Sequence, residues 1–129
     1  MGNLRYKAYG YRRGEKKERF EYARHISERE ECVERRERNE DWELDTVIGK
    51  DHKSSLLTCT SRRSRYIEIR RLEKTSASEV VKAMVDIAKY QKILTTTSDR
   101  GSEFAYFRTL ESIIGIQSYM TSPYAAWEK

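Results

Sequence analysis

Two aspartates at predicted strand positions are the residues of this sequence whose type and placement suit metal chemistry. Asp45 falls inside an otherwise apolar strand, where an ionised carboxylate needs a cation, a hydrogen-bond partner or solvent. Asp99 directly follows the fourth predicted strand. Carboxylates that meet at neighbouring strands bind hard divalent cations such as Mg²⁺ or Mn²⁺. On spacing alone, the preferred alternative is that Asp45 pairs with an arginine and Asp99 begins a turn.

A basic segment follows the second predicted strand. Residues 61–74 contain six lysines and arginines against two acids, and Arg62, Arg63 and Arg65 stand close together in it. Basic side chains of this kind contact phosphate groups without reading a nucleotide sequence. An equally good alternative is a solvated strand edge whose charged side chains prevent pairing with another strand. The net charge of +5 is compatible with a polyanionic partner but too small to prove one.

Alternating and helical patterns predict the elements that would position these residues. From residue 41 onward, short alternating runs predict strands, and in the first of them Trp42 and Leu44 share one face while Asp45 lies on the other. A capping-box sequence at Ser76 opens an amphipathic helix that ends near Tyr90. A second helix is predicted to begin near Phe104 and to end at Gly115. The predicted order is βββαβαβ, with strands at 42–48, 55–60, 66–70, 92–98 and 116–120.

Composition divides the chain and limits its class. Residues 1–40 carry 21 charged side chains without a continuous apolar stripe, so we expect a charged arm or linker there and a core over 41–129. The longest apolar run is too short to span a bilayer, and no signal-peptide core follows Met1. Cys32 and Cys59 lie 27 positions apart, which favours free thiols and a cytoplasmic protein.

Several separate motifs resemble one known family. They are DWELDTVIGK at residues 41–50, His52 with Lys53, the Ser64 to Tyr66 stretch, TSDRGSEF at residues 97–104 and SPYAAWE at residues 122–128. Their text, order and spacing closely resemble the catalytic core of the insertion-sequence-thirty family of DDE transposases. The resemblance extends from about Ile26 to the end of the chain.

This resemblance implies a fold, a site and a set of partners. The expected fold is an α/β ribonuclease H-like domain with a mixed five-stranded sheet whose final helix is missing. Asp45 matches the family's first catalytic aspartate and Asp99 the second, with two Mg²⁺ or Mn²⁺ ions in the complete site. The implied activity is cleavage and strand transfer of DNA, at element ends and target. A homo-oligomer is left open. The candidate DNA contacts are Lys53, Arg62, Arg63 and Arg65.

Two departures from the family pattern affect the expected activity. Arg100 replaces an asparagine and places a cation beside Asp99, where it could intrude on a metal. The chain stops at Lys129, just before the family's catalytic glutamate, and Glu128 matches a different position. We therefore expect an internal piece of a transposase that is inactive alone, unless another carboxylate such as Glu103 supplies the third ligand. The alternatives are a non-catalytic nucleic-acid-binding remnant and, less well matched, a ribonuclease H-like hydrolase.

Overall fold

A computed structural model of the chain describes residue 20, residues 22–50 and residues 54–122. It contains a mixed sheet of six strands in the spatial order β1-β6-β5-β2-β3-β4, with three α-helices and two 3-10 turns. The elements are β1 (Arg24–His25), a 3-10 turn (Ile26–Glu28), α1 (Glu31–Glu34), β2 (Asp41–Ile48), β3 (Ser55–Ser61), β4 (Ile67–Leu72), α2 (Ala77–Ala88), β5 (Thr95–Ser98), a 3-10 turn (Ser102–Phe104), α3 (Phe107–Ile114) and β6 (Gln117–Met120).

The predicted antiparallel meander is confirmed in strands β2, β3 and β4. β2 pairs with β3 along its length, from Trp42 opposite Ser61 to Ile48 opposite Ser55, and β3 pairs with β4 in the same antiparallel manner. Trp42 and Leu44 are buried, whereas Asp45 is exposed, as the alternation predicts. This pairing fixes which face of the sheet each side chain of β2 occupies.

Helix α2 carries the chain from the antiparallel meander to the parallel half of the sheet. The Ser76 side chain accepts a hydrogen bond from the Glu79 backbone N–H, which confirms the predicted helix start. Val80, Met84 and Ile87 are buried at helical spacing on the face towards the sheet. The connection delivers β5 parallel to β2, as such crossover connections generally do.

The second helical connection differs from its prediction in detail. A 3-10 turn at Ser102–Phe104 precedes α3, so the expected single helix is divided. Gly115 adopts a left-handed conformation, with φ of 70°, and ends α3 as predicted. β5 begins at Thr95, later than expected. The Leu94 backbone N–H donates to the Glu40 carbonyl just before the paired stretch.

The apolar core lies between one face of the sheet and helices α2 and α3. Leu44, Leu57, Cys59 and Leu72 from the meander meet the buried residues of both helices there. Burial raises the pKa of the Cys59 thiol to about 12, so this cysteine is an inert core residue. No helix in the described part of the chain has the length and apolar character needed to cross a membrane.

The sheet has one strand more than the five expected. β1 pairs in parallel with the edge of β6, where Arg24 stands opposite Tyr119 and His25 opposite Met120. Two residues are too few for an alternation pattern, which is why sequence periodicity misses this strand. The division at residue 41 stays a prediction, but residues 24–40 contact the sheet; Val33, for example, is fully buried.

Two arginines are buried where the segment before β2 contacts the sheet. The Arg62 side chain is 2% exposed and donates to Glu43 Oε2 at 2.6 Å and to the Val33 carbonyl at 3.2 Å. Arg29 is equally enclosed and donates to Glu34 and to Thr97 Oγ1. Burial, and then the charge of Arg29, lower the pKa of Arg62. The guanidinium group of Arg62 is therefore used inside the fold, and this arrangement gives no support to its predicted contact with DNA.

Replacing Arg62 tests this structural role. Arg62→Ala should lower the free energy of unfolding by about 2–3 kcal/mol, since it removes the close donor of a partly buried Glu43 carboxylate, whose other cation, Arg36, lies at 4.0 Å. Arg63→Ala, which removes an exposed neighbour, should cost less than about 1 kcal/mol. Urea unfolding followed by circular dichroism measures both. Equal stability of the two variants would contradict the buried role of Arg62.

Candidate metal centre and nucleic-acid surface

The parallel pairing of β2 with β5 bears on the relative positions of the two predicted catalytic aspartates. Asp41 stands opposite Thr95 and Glu43 opposite Thr97, a constant separation of 54 residues. Asp45 and Asp99 have the same separation and lie two positions beyond the last paired residues. Asp45 lies within β2 and Asp99 directly follows β5, so this register, continued past the paired residues, would bring the two carboxylates to the same face near the carboxyl end of β5. Sequence analysis predicts that they meet, and this register favours it.

Each of the two carboxylates is oriented by a neighbouring backbone amide. Asp45 is exposed, and its Oδ1 accepts a hydrogen bond from the Thr46 N–H at 2.9 Å. Asp99 is half-buried, and its Oδ1 accepts one from the Gly101 N–H at 2.8 Å. These bonds restrict rotation of both carboxylates, as outer-shell contacts do for metal ligands in proteins.

A third carboxylate, Glu103, lies close to Asp99 but does not complete a three-ligand cage. A Cβ atom on Gly101 would lie 2.6 Å from Glu103 Oε1 and 3.0 Å from Asp99 Oδ1, so both carboxylates contact the same glycine. Glu103 Oε2 accepts a hydrogen bond from Thr46 Oγ1 at 2.9 Å. Among residues 20, 22–50 and 54–122, no three acidic, histidine or cysteine side chains are grouped closely enough to hold a metal ion.

The donor set nevertheless suits a hard divalent cation. Asp45 and Asp99 offer carboxylate oxygens, which are the ligands that Mg²⁺ and Mn²⁺ prefer. A Cβ atom at Gly101 would collide with Glu103 and crowd Asp99, so glycine leaves room for both carboxylates. Two carboxylates leave most of an octahedral shell to water, substrate or further ligands. The described residues therefore fit part of a metal site.

Comparison with known proteins identifies the domain that carries these carboxylates. The family model of the integrase core domain matches residues 35–126. The chain belongs to the integrase core domain family. The match includes Asp45, Asp99 and everything between them.

The curated relatives of this integrase core are proteins of mobile elements. The chain is 40% identical over 106 residues to the transposase for insertion sequence element IS4351 of Bacteroides fragilis, covering 81% of this chain and 32% of that protein. It is 33% identical over 106 residues to the probable transposase for insertion-like sequence element IS1161 of Streptococcus salivarius, covering 81% and 30%. The chain thus spans about a third of the length of the curated transposases it matches.

A solved structure supports the fold assignment. The crystal structure of the catalytic core domain of BIV integrase superimposes with a TM-score of 0.58 at 20% identity, covering 67% of this chain and 57% of that chain. The predicted ribonuclease H-like α/β class of this integrase core is therefore confirmed, with six strands in place of five.

Arg100, the residue expected to intrude on the metal, bonds to backbone groups instead. Its Nε donates to the Thr121 carbonyl at 2.9 Å and its Nη1 to the Phe20 carbonyl at 2.6 Å. These carbonyls lie just after β6 and before β1, so the side chain connects two separate segments across the end of the sheet. In the integrase core, Arg100 is therefore a structural contact, and the expectation that it disturbs the metal lacks support.

The remaining predicted DNA contacts have different positions. Arg63 and Arg65 are exposed in the turn between β3 and β4, where the Arg63 guanidinium donates to the Glu37 carbonyl at 2.8 Å. Arg65 has a positive φ of 67°. Lys53 lies outside the described residues. The integrase core thus presents two of the four predicted cations on one exposed turn.

Sequence analysis missed the residues that connect the two halves of the site. The sequence patterns give no role at the site to Thr46, although its hydroxyl contacts Glu103 and its amide contacts Asp45. They give none to Gly101 either, although its N–H orients Asp99. The available signal was their position directly after, or two residues after, a predicted ligand. Such positions commonly hold backbone donors for a carboxylate.

Arg100→Asn, which installs the residue of the related family pattern, should separate the two interpretations of Arg100. We expect a lower melting temperature, by several degrees, because two backbone carbonyls lose their charged donor. We expect the Mn²⁺ dissociation constant to change by less than about threefold, since the guanidinium group is engaged elsewhere. Thermal unfolding and a Mn²⁺ titration measure the two effects. A large gain in Mn²⁺ affinity would restore the intrusion hypothesis.

Proposed function

We propose that this chain is the catalytic core of an insertion-sequence transposase of the insertion-sequence-thirty kind. In this proposal Asp45 and Asp99 hold divalent ions, Mg²⁺ or Mn²⁺, for cleavage and strand transfer of DNA. The observation that carries it is the parallel register of β2 with β5, whose constant separation of 54 residues is also the separation of Asp45 and Asp99. The named transposases among its relatives and the motif series at residues 41–50 and 97–104 support the same function.

The roles of the residues follow from where the fold holds them. Asp45 and Asp99 would hold the ions, two in the complete site. When bound, such ions act as Lewis acids in the hydrolysis and transesterification of phosphodiesters. The backbone amides of Thr46 and Gly101 restrict the orientation of the carboxylates, which keeps their oxygens directed consistently. Exposure of Asp45 leaves that position of β2 accessible to a bulky substrate such as DNA.

The proposal includes the partners and the expected limits of activity. The DNA partners are the element ends and a target, the protein acts in the cytoplasm, and a homo-oligomer is compatible with this function. Because the described residues supply no three-carboxylate cluster, we propose that the chain alone cleaves DNA poorly. The same observation favours the second candidate, a non-catalytic nucleic-acid-binding protein. Mn²⁺-dependent nicking of labelled DNA by the 129-residue chain, with Asp45→Asn as the control, distinguishes these candidates.

Metal binding is the direct test of the proposed site. Asp45→Asn and Asp99→Asn should each weaken Mn²⁺ binding by about tenfold or more, because each removes a charged ligand. Titration of the 129-residue protein, followed by the electron paramagnetic resonance signal of free Mn²⁺, measures the change. Asp86→Asn is the matched control, since Asp86 lies on α2 and pairs with Arg70. Wild-type affinity in both site variants would refute the assignment.

DNA binding tests the exposed cations separately from the metal site. We expect weak binding without sequence preference whose affinity falls steeply with salt, as counterion release requires. The double variant Arg63→Ala/Arg65→Ala should reduce the slope of log K against log salt by about two. The matched control, Lys82→Ala/Lys89→Ala, removes two exposed cations from α2. An equal reduction in both double variants, or none in the first, would contradict a specific role for the turn.

A further inference from the structure

One side-chain hydrogen bond joins the two segments that carry the proposed metal ligands. Thr46 Oγ1 donates to Glu103 Oε2 at 2.9 Å, across 57 residues of sequence. Thr46 directly follows Asp45 on β2, and Glu103 lies in the 3-10 turn that follows Asp99. The bond is partly buried, so water competes with it less than at an open surface.

Thr46 is bonded in two directions. Its backbone N–H donates to Asp45 Oδ1, and its side-chain hydroxyl donates to Glu103. Successive side chains of a strand point to opposite faces, so the Thr46 side chain leaves β2 on the face opposite to Asp45. Glu103 therefore meets β2 from the helix-covered side and is badly placed to share an ion with Asp45. This geometry explains why no three-carboxylate group forms among the described residues.

The Glu103 end of the bond is fixed by the core and by Gly101. Phe104, the next residue, is 4% exposed and belongs to the apolar core, and Ala105 is fully buried. Gly101 lies against both Glu103 and Asp99, and its N–H donates to Asp99 Oδ1. A continuous series of contacts therefore runs from Thr46 through Glu103 and Gly101 to Asp99.

We propose that Thr46 and Glu103 are positioning residues that set the separation of the Asp45 and Asp99 carboxylates, and with it the affinity for a divalent cation. Glu103 acts through this hydrogen bond and is not itself a ligand. The inference rests on the proposed function, because it assumes that both aspartates hold metal. It assigns a role to a carboxylate that the motif resemblance leaves without one.

The decisive substitution removes the hydroxyl and keeps every charge. Thr46→Val should weaken Mn²⁺ binding by about tenfold or more, the usual effect of losing an outer-shell partner. Thr46→Ser retains the donor and should stay within about twofold of wild type. Thr60→Val makes the same isosteric change on the neighbouring strand β3 and is the matched control. Binding is measured on the full 129-residue chain with Mn²⁺ alone, and thermal unfolding is recorded beside it.

A variant at Glu103 keeps the test valid if Thr46→Val folds poorly, since Glu103→Ala should weaken Mn²⁺ binding by a similar factor. Glu103→Ala removes the same bond from the other side at a half-buried position. If the bond is the shared mechanism, the double variant Thr46→Val/Glu103→Ala should bind Mn²⁺ no more weakly than Glu103→Ala. Fully additive losses would show that the two residues act independently and would overturn the proposal.

The remaining outcomes separate this inference from the proposed function. Absence of Mn²⁺ binding that depends on Asp45 and Asp99 in the wild-type chain would refute the function and the inference together. Wild-type affinity in Thr46→Val, with normal dependence on both aspartates, would overturn the inference alone. Tighter binding in Thr46→Val combined with loss of binding in Glu103→Ala would make Glu103 a direct ligand, which also overturns it.

Discussion

A buried carboxylate at the start of β2 holds the arrangement on which the candidate site depends. Asp41 is fully buried and accepts two hydrogen bonds from the Arg38 guanidinium, at 2.9 and 2.8 Å, and a third from Thr95 Oγ1 at 2.7 Å. The hydrogen bond to Asp41 also raises the pKa of Arg38, so the cation is retained. Because Thr95 is the register partner of Asp41, these contacts specify one alignment of β2 with β5. A slip by one residue would turn Asp45 or Asp99 to the other face.

The charged segment before β2 packs on the sheet, although its composition is typical of a solvated arm. Arg29 and Val33 are buried against the sheet, and Arg62 reaches back from the β3–β4 turn to bond with the Val33 carbonyl. Enclosed guanidinium groups need complete pairing, which Glu34 and Glu43 provide. Basic residues close to a predicted nucleic-acid surface are therefore of two kinds. Exposed ones such as Arg63 remain available to phosphate, and enclosed ones hold the segment on the sheet.

The candidate site combines an exposed carboxylate with neighbouring residues that are fixed by hydrogen bonds and core packing. Asp45 is exposed at the open end of β2, as a group that meets a large substrate must be. Its neighbours are less free, because Thr46 bonds to Glu103 and the Glu103 turn is anchored by Phe104 in the core. Arg100 adds a connection between the segments after β6 and before β1. Rigid support for exposed ligands is the usual requirement of sites that position a metal and a reacting phosphate.

Local patterns in the sequence predict most of the elements and the α/β class. Alternation predicted the meander, the Ser76 cap and Gly115 marked helix ends, and the motif series named Asp45 and Asp99 before any geometry was known. These are local signals, since strand faces, caps and left-handed glycines depend on residues a few positions apart. The two-residue strand β1 carried too short a pattern to be predicted.

Which charged residues are buried and which are exposed depends on tertiary packing. Arg62 and Arg63 are adjacent and chemically identical, yet one is enclosed by Glu43 and Val33 while the other is exposed. The Thr46 contact with Glu103 and the Arg100 contact with Phe20 join residues 57 and 80 positions apart. No local pattern encodes such pairs, because burial and partnership arise when distant segments pack together and exclude water.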